Sequence, residues 1–492
     1  MPETDDMLLY TAAQVRELDR RAIEDCGFDG YELMCRAGAA LLRQVEQDWP
    51  NARQVTVLCG PGNNGGDGYV LARLLRKSGR NVQLLALVEH DVLQGAARRA
   101  ADDYRAAGGV IDSYSGSLPA ATGLLVDALL GTGLDRPVEG VFEQVIKQIN
   151  ANPAPVLAAD IPSGLHADTG CALGDTVQAD ATVTFIGRKR GLYTGAGTQL
   201  AGRRVFASLD VPTAVFEGIQ ADVRLLHAGA TGLPPRRRDA HKGCFGHVLV
   251  VGGAPGMSGA ARLAAEAAAR GGAGLVSVAT HPQHAAWLNA GRPELMVRAV
   301  AHADELGPLL SRASVVVVGP GLGQGEWSRG LFEKVVESRL PLIVDADALS
   351  LLANDPLRKD NWVLTPHPGE AARLLASTTQ AVQQNRFAAV MDVQTEYGGV
   401  VLLKGSGTLV ASATLPVELC PFGNPGMASG GMGDILGGVI AALMAQGVPA
   451  DRAAGQAACI HGRAGDLLAD KNGERGLLAG DLLGEIRRLI NG

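Results

Sequence analysis

The sequence predicts an α/β protein of two domains in series, each built on a mostly parallel sheet. Three observations predict it. Short apolar runs alternate with helix-length stretches along the whole chain, the pattern of strands joined by crossover helices. At 492 residues the chain is long for one domain, given a working value of roughly 150 residues per domain. The segment Gly232-Leu233-Pro234-Pro235-Arg236-Arg237-Arg238 divides the runs into two series, and paired prolines bar a helix and lack donors for a sheet ladder.

In the first series the expected strands are Val55–Cys59, Val82–Val88, Leu124–Asp127, Val156–Asp160, Ala181–Phe185 and Val205–Leu209. In the second they are His247–Val251, Leu275–Thr280, Val315–Gly319, Leu342–Asp345, Trp362–Thr365 and Val400–Lys404. The helices between them are rich in Ala, Leu and Arg, such as Gly259–Arg270. The expected organisation is a domain over 1–220, a linker over 221–240 and a second domain over 241–492. No short-period repeat occurs, which excludes solenoids and propellers.

Composition narrows the function classes. Lys and Arg total 44 against 51 Asp and Glu, a net charge of −7, which gives no electrostatic case for nucleic acid. Arg236, Arg237, Arg238 and Lys242 read as a solvated linker. Seven cysteines without a Cys-x-x-Cys spacing point to reduced, cytoplasmic thiols and away from a disulfide frame or zinc site. The start Met1-Pro2-Glu3-Thr4-Asp5-Asp6 lacks the basic and apolar stretches of a signal peptide, and no apolar run approaches a membrane span. Glycine is abundant: 65 residues, about 13% against a usual ~7%. The excess belongs in turns and where backbone meets a ligand.

Three motifs of the first series lie at carboxyl ends of expected strands, where open α/β sheets bind ligands. Gly60-Pro61-Gly62-Asn63-Asn64-Gly65-Gly66-Asp67-Gly68, with helix expected from Tyr69, offers bare backbone N–H groups to a phosphate. Asp127-Ala128-Leu129-Leu130-Gly131-Thr132-Gly133-Leu134 puts a carboxylate before a Gly-Thr-Gly turn, suited to a ligand, a cation or a helix cap. Asp160-Ile161-Pro162-Ser163-Gly164 sets a carboxylate at a stiff turn, which can act as a general acid or base if partial burial raises its pKa, or simply cap the turn. Asn64, Asp127 and Ser163 together offer hard oxygen ligands to a weakly held cation.

In the second series Gly430-Gly431-Met432-Gly433-Asp434 precedes an apolar helix expected over Ile435–Ala445. Its amides would form an anion hole for a phosphoryl group, with Asp434 beside it to accept a proton from an attacking hydroxyl. Lys404-Gly405-Ser406-Gly407-Thr408 could hold nucleotide phosphates. His367 lies between two prolines in Thr365-Pro366-His367-Pro368-Gly369-Glu370, a stiff turn unlike the setting of a generic core histidine. Val344-Asp345-Ala346-Asp347-Ala348 ends a strand with two carboxylates, and Gly319-Pro320-Gly321-Leu322-Gly323 is a further glycine turn.

With these motifs in this order, the second half resembles the nucleotide-dependent NAD(P)H-hydrate dehydratases of the ribokinase-like fold. The match runs through Gly319–Gly323, Asp345–Ala348, Thr365–Glu370, Lys404–Thr408, Asn424-Pro425-Gly426 and Gly431–Asp434. The first half resembles the NAD(P)H-hydrate epimerases, through Tyr31-Glu32-Leu33-Met34, Arg36-Ala37-Gly38, Gly60–Gly68, Asp127–Leu134 and Asp160–Gly164. The whole chain looks like the fused bacterial form.

The resemblance implies a Rossmann-like three-layer α/β/α first domain and a ribokinase-like second one. It implies NADH or NADPH hydrated at carbon 6 of the nicotinamide ring as substrate. Asp160 would be the acid/base of epimerisation, and Asn64, Asp127 and Ser163 the potassium ligands. Asn63, Gly65, Gly66 and Asp67, with Gly131, Thr132, Gly133, Leu134 and Asp135, would hold the substrate. In the second domain Asp434 would be the base, and Lys404, Gly405, Ser406, Gly407, Thr408 and Gly433 would contact ADP. Gly323 and His367, with Asp434, would contact the hydrated cofactor. Magnesium would accompany the nucleotide, and related proteins imply a homo-oligomer.

Two other readings fit parts of the chain. A ribokinase-like small-molecule kinase accounts for Gly431–Asp434 but not for the first half. A non-catalytic nucleotide-binding first domain keeps the glycine loops and leaves Asp160 structural.

Overall fold

The computed structural model describes residues 7–119, 122–227 and 233–492. The start Met1–Asp6, and residues 228–232 of the expected linker, lie outside the described residues. The chain forms two compact units, Met1–Val223 and Arg224–Gly492. Among the described residues no helix is long and apolar enough to cross a membrane.

Unit 1 runs β1 (Leu8–Tyr10), α1 (Ala12–Glu24), α2 (Gly30–Asp48), β2 (Gln54–Cys59), α3 (Asn63–Lys77), β3 (Asn81–Ala86), α4 (Gly95–Ala106), β4 (Ile111–Ser113) and β5 (Leu124–Ala128). It continues with α5 (Val141–Ala151), β6 (Val156–Ala159), β7 (Ala181–Phe185), β8 (Arg188–Lys189), α6 (Gly197–Leu200) and β9 (Arg203–Ala207). Seven strands form a parallel sheet in the order β4-β3-β2-β5-β6-β7-β9. Side chains alternate along each strand, so each strand feeds two cores. Val55, Val57 and Cys59 pack with α2, α3 and α4, whereas Leu58 packs with Val145, Ile146 and Ile149 of α5. The order reverses at β2, between β3 and β5, and this switch opens a crevice at the strand ends.

After β10 (Val223–Leu225), unit 2 contains β11 (His247–Val251), α7 (Ser258–Arg270), β12 (Leu275–Thr280), α8 (Pro282–Ala285), β13 (Met296–Ala299), α9 (Gly307–Leu310), β14 (Val315–Val318) and α10 (Glu326–Val336). Next come β15 (Leu342–Val344), α11 (Asp347–Asn354), β16 (Trp362–Leu364), α12 (Pro368–Leu374), α13 (Thr379–Gln384), α14 (Arg386–Tyr397) and β17 (Val400–Leu403). The unit closes with β18 (Thr408–Ala411), β19 (Val417–Cys420), α15 (Met432–Ala445), α16 (Ala450–Asn472) and α17 (Leu482–Asn491). Its sheet order includes β13-β12-β11-β14-β15-β16-β17-β18-β19, parallel as far as β17 and antiparallel beyond. Helices α7, α15, α16 and α17 cover one face over a core of Val248, Val250, Val317, Ile343, Val363 and Leu402.

Two expectations need correction. The glycine run is not a loop ahead of a helix at Tyr69: α3 begins at Asn63 and takes up most of it. Its glycines let a helix lie close on the sheet, since a Cβ at Gly68 would stand 2.7 Å from Ala128 Cβ and 2.8 Å from Cys59 Sγ. Helix α15 likewise begins at Met432 and not at Ile435, so Gly433 and Asp434 lie in its first turn. Arg236, Arg237 and Arg238 are exposed, as solvated charges of a linker would be, and Arg236 in addition stacks 3.7 Å over Phe245 and bonds Gln446 Oε1 at 2.9 Å. Within the expected linker, Leu226 N donates to Leu419 O at 2.7 Å and Arg224 pairs with Glu418.

Candidate functional site

In unit 1 a cavity of about 720 Å³ opens at the switch point. The start of α3 lines it with Asn63, Asn64 and Asp67, and the loop after β5 lines it with Leu129 through Arg136. Asp160, Phe185, Ile186 and Lys189 contribute from the ends of β6, β7 and β8, and Val15, Arg16 and Asp19 from α1. Of the residues singled out in the sequence, Asn63, Asp67, Gly131, Thr132, Gly133, Leu134, Asp135 and Asp160 therefore share one cavity wall. Gly65 and Gly66 do not line it: Gly65 backs onto Gly60, and Gly66 onto Met34 and Ala97.

Asp160 is held in a strained backbone, at φ +62°. Left-handed backbone is uncommon for a residue with a Cβ and concentrates at functional positions. Its Oδ1 accepts from Phe185 N at 3.1 Å, from Thr184 Oγ1 at 3.3 Å and from the Lys189 ammonium. Lys189 is buried, and its Nζ also donates to Phe185 O at 2.9 Å. Two more carboxyls share this environment. Burial, reinforced by Asp160 and Asp19, pushes Asp67 well above the usual carboxylate range. Burial also raises Asp19 to about 6, with Lys189 opposing and Asp160 adding to the shift.

Beside the cavity, Asp127 is fully buried at the end of β5. Its Oδ2 accepts from Ser163 N at 2.8 Å, and its Oδ1 from Ser163 Oγ at 2.6 Å and Leu129 N at 3.2 Å. Burial raises its pKa to about 6 against those hydrogen bonds. Asn64 donates Nδ2 to Leu130 O at 3.2 Å, while its buried Oδ1 has no partner among the described residues. A buried oxygen without a donor is costly, and a cation would satisfy it. Asn64, Asp127 and Ser163 thus form a linked set of hard oxygens around the loop after β5, with one oxygen unfilled. Such donors fit potassium.

In unit 2 the residues of four strand ends and one helix start converge. Lys404 Nζ lies 2.8 Å from Asp345 Oδ1 and 3.8 Å from Glu370 Oε2. Burial works against the ammonium, yet Asp345, Glu370 and Asp434 together raise its pKa. Asp434 is pushed up to about 7 by burial and by Asp345, with Lys404 opposing. Gly323 N donates to Asp347 Oδ2 at 2.8 Å, which ties the first glycine turn to the end of β15. Gly319, at φ +123°, has no room for a side chain, because a Cβ there would collide with Asp345 O.

His367 caps α12: its Nδ1 accepts from Gly369 N at 3.0 Å and Glu370 N at 3.3 Å. Its Nε2 stands 3.5 Å from Glu370 Oε1, and burial holds its pKa below the usual value. The Lys404–Thr408 loop is braced from below by Arg386. That buried guanidinium donates to Leu403 O and Lys404 O, each at 3.4 Å, and to Gly407 O at 3.2 Å. Thr408 Oγ1 closes the loop on Gly405 O at 3.0 Å. The hard carboxylates of Asp345, Asp347, Glu370 and Asp434 are of the type that suits magnesium. Lys404 is already paired among them, however, so they do not fit a ready-made magnesium site.

Sequence reasoning missed Asp19, Lys189, Arg386 and a role for Glu370. Arg386 and Lys189 sit in no glycine motif, and charges on helices are usually solvated. The available signal for Asp19 was positional: it follows Leu18, which is fully buried on α1.

A family model described as NAD(P)H-hydrate dehydratase matches residues 248–488. Another, described as YjeF-related protein N-terminus, matches residues 30–191. The chain is 48% identical over 486 residues to a bifunctional NAD(P)H-hydrate repair enzyme of Coxiella burnetii, covering 98% of this chain and 99% of that one. It is 43% identical to the Escherichia coli protein of the same name, covering 98% and 94%. Among solved structures the chain is similar to a ribokinase-like superfamily protein of Enterococcus faecalis, 28% identical, with a TM-score of 0.52 over 55% of this chain and 96% of that one. The glycine-bounded cavity of one unit and the Lys404–Asp345–Asp434 cluster of the other thus occur together in a chain that belongs to the bifunctional NAD(P)H-hydrate repair enzymes.

Proposed function

We propose that unit 1 interconverts the R and S epimers of hydrated NADH and NADPH, and that unit 2 dehydrates the S epimer with consumption of ADP. One observation carries this reading: the 48% identity to a protein named as bifunctional runs through 98% of the chain, across both units.

The hydrated ring carries a hydroxyl and a ring nitrogen on carbon 6, so its configuration inverts when a bond at that carbon opens and re-forms. Asp160 moves the proton this requires. The cavity at the switch point, bounded by Asn63, Asp67 and Gly131–Asp135, holds the substrate. Asn64, Asp127 and Ser163 would hold potassium. Bound there, the ion would neutralise the buried Asp127 charge and fix the loop after β5.

Dehydration needs a better leaving group than hydroxide. Asp434 accepts the proton of the substrate hydroxyl as that oxygen takes a phosphoryl group from ADP. The oxygen then leaves as phosphate with the carbon–oxygen electron pair, carbon 5 gives up a proton to solvent so that its electron pair forms the double bond to carbon 6, and AMP is released. The amides of Gly431–Gly433 at the α15 N-terminus face developing negative charge. Lys404–Thr408 and Gly433 contact the nucleotide, while Gly323 and His367 orient the hydrated cofactor. Magnesium would travel with the nucleotide. Cytoplasmic action and homo-oligomeric assembly complete the proposal, the former in keeping with seven free cysteines.

The test follows near-ultraviolet absorbance of reduced nicotinamide in a mixed-epimer preparation of hydrated NADH with ADP, magnesium and potassium. Recovery from all of the substrate supports both activities. Recovery from one epimer alone overturns the epimerase half. No recovery with ADP or ATP overturns the whole reading.

A further inference from the structure

The cavity of unit 1 holds a carboxyl group that the single acid/base at Asp160 leaves unused. Asp19 reaches the cavity from α1, an element separate from the strand-end loops that carry the glycine motifs. It makes no hydrogen bond or ion pair among the described residues, whereas Asp160 is bound by Lys189, Phe185 N and Thr184. A half-buried carboxyl facing a substrate-sized cavity without a partner is poorly explained as a structural feature.

We propose that Asp19 is a second catalytic residue of epimerisation, acting at the ring nitrogen while Asp160 acts at the carbon 6 oxygen. This rests on the epimerase reading of unit 1. The bond that opens is the one between carbon 6 and the ring nitrogen. Asp160 takes the hydroxyl proton, the oxygen electron pair forms a carbonyl at carbon 6, and the carbon–nitrogen pair goes to nitrogen. Protonated Asp19 supplies the proton that nitrogen then holds. Rotation about the bond between carbons 5 and 6 exposes the other carbonyl face. Closure returns the nitrogen proton to Asp19 and the oxygen proton from Asp160, so no atom or electron is gained or lost.

The division of labour follows from charge. Lys189 is bonded to Asp160, and its ammonium favours the oxygen that gains carbonyl character. Asp19 is raised to about 6 by burial first and by Asp160, with Lys189 opposing, which keeps a protonated fraction near neutral pH. The other charged groups lining the cavity are Asp67, Arg16, Asp135 and Arg136.

The test uses the full chain without nucleotide, a single purified epimer of hydrated NADH, and chromatographic detection of the other epimer. Asp19→Asn is expected to lower kcat about 100-fold or more, with KM little changed. The wild-type rate is expected to fall as pH rises from 6 to 8, and the variant rate to be flat. Asp19→Glu should restore part of the rate. Binding of oxidised NADP and ADP-driven dehydration of the S epimer by the same variant report on folding. An Asp19→Asn rate within threefold of wild type, an unchanged pH profile, or loss of NADP binding overturns the assignment. Absence of epimerisation in the wild-type chain overturns the epimerase reading itself.

Discussion

Lys404 Nζ lies 2.8 Å from Asp345 Oδ1, and Gly433 packs against the pair from the first turn of α15. A Cβ at position 433 would stand 3.2 Å from Nζ and 3.5 Å from Asp345 Oδ2. The glycine therefore lets the helix start approach the ion pair, and this puts Asp434 beside two carboxylates and one ammonium. Asp434→Asn is predicted to lower ADP-dependent dehydration of the S epimer by roughly 10²–10⁴-fold. Epimerisation without nucleotide should be unchanged. In the wild type, dehydration should rise with pH through about 7, where Asp434 loses its proton. A flat profile between pH 6 and 8 would remove Asp434 as the base.

The same shift has a stability consequence. The folded pKa of Asp434 lies above its ordinary value of 3.8, so between about pH 4 and 7 the native state holds a proton the unfolded state has released. Its contribution is favourable below pH 4 and is lost as pH rises through 7. Asp434→Asn should therefore stabilise unit 2 at pH 8 by on the order of 1–2 kcal/mol relative to its effect at pH 4. Urea unfolding at the two pH values checks this. Equal effects at both would contradict it.

The buried, unpartnered Asn64 Oδ1 and the buried Asp127 carboxyl predict potassium-dependent stability of unit 1. Thermal unfolding in potassium chloride should show the unit 1 transition above that in choline chloride at equal ionic strength. The gain should grow with concentration as ligand linkage requires. Asn64→Ala should abolish it and leave the unit 2 transition in place. A potassium effect that survives in this variant would place the ion elsewhere.

Arg386 holds three carbonyls around the Lys404–Thr408 loop. Arg386→Ala removes these three bonds and a buried side chain and should destabilise unit 2 by about 2–4 kcal/mol. It should also raise KM for ADP more than it lowers kcat, because the loop would lose its shape while Asp434 keeps its place. Steady-state kinetics below the shifted melting temperature separate the two effects. A kcat loss with KM unchanged would refute the bracing role.

Much of this protein was legible in the sequence. The apolar runs marked the central strands, with Ala181–Phe185, His247–Val251 and Leu275–Thr280 correct to the residue, because buried parallel strands are apolar on both faces. The edge strands Ile111–Ser113 and Met296–Ala299 carried no such signal, since they are short and partly exposed. Strand-end placement brought Asn63, Gly131 and Asp160 to one cavity and Lys404, Asp345 and Asp434 to one cluster.

Tertiary structure alone decided the rest. Glycine's lack of a side chain reads the same for a ligand-facing loop and for close packing, and only the fold showed that Gly65 packs on Gly60, Gly66 on Met34 and Ala97, and Gly68 on the sheet at Ala128 and Cys59. The pairing of Lys189 with Asp160 joins residues 29 positions apart, and Asp19 reaches the same cavity from another helix. Local periodicity has no term for such contacts, because burial and charge at a site are set by distant segments that only folding brings together.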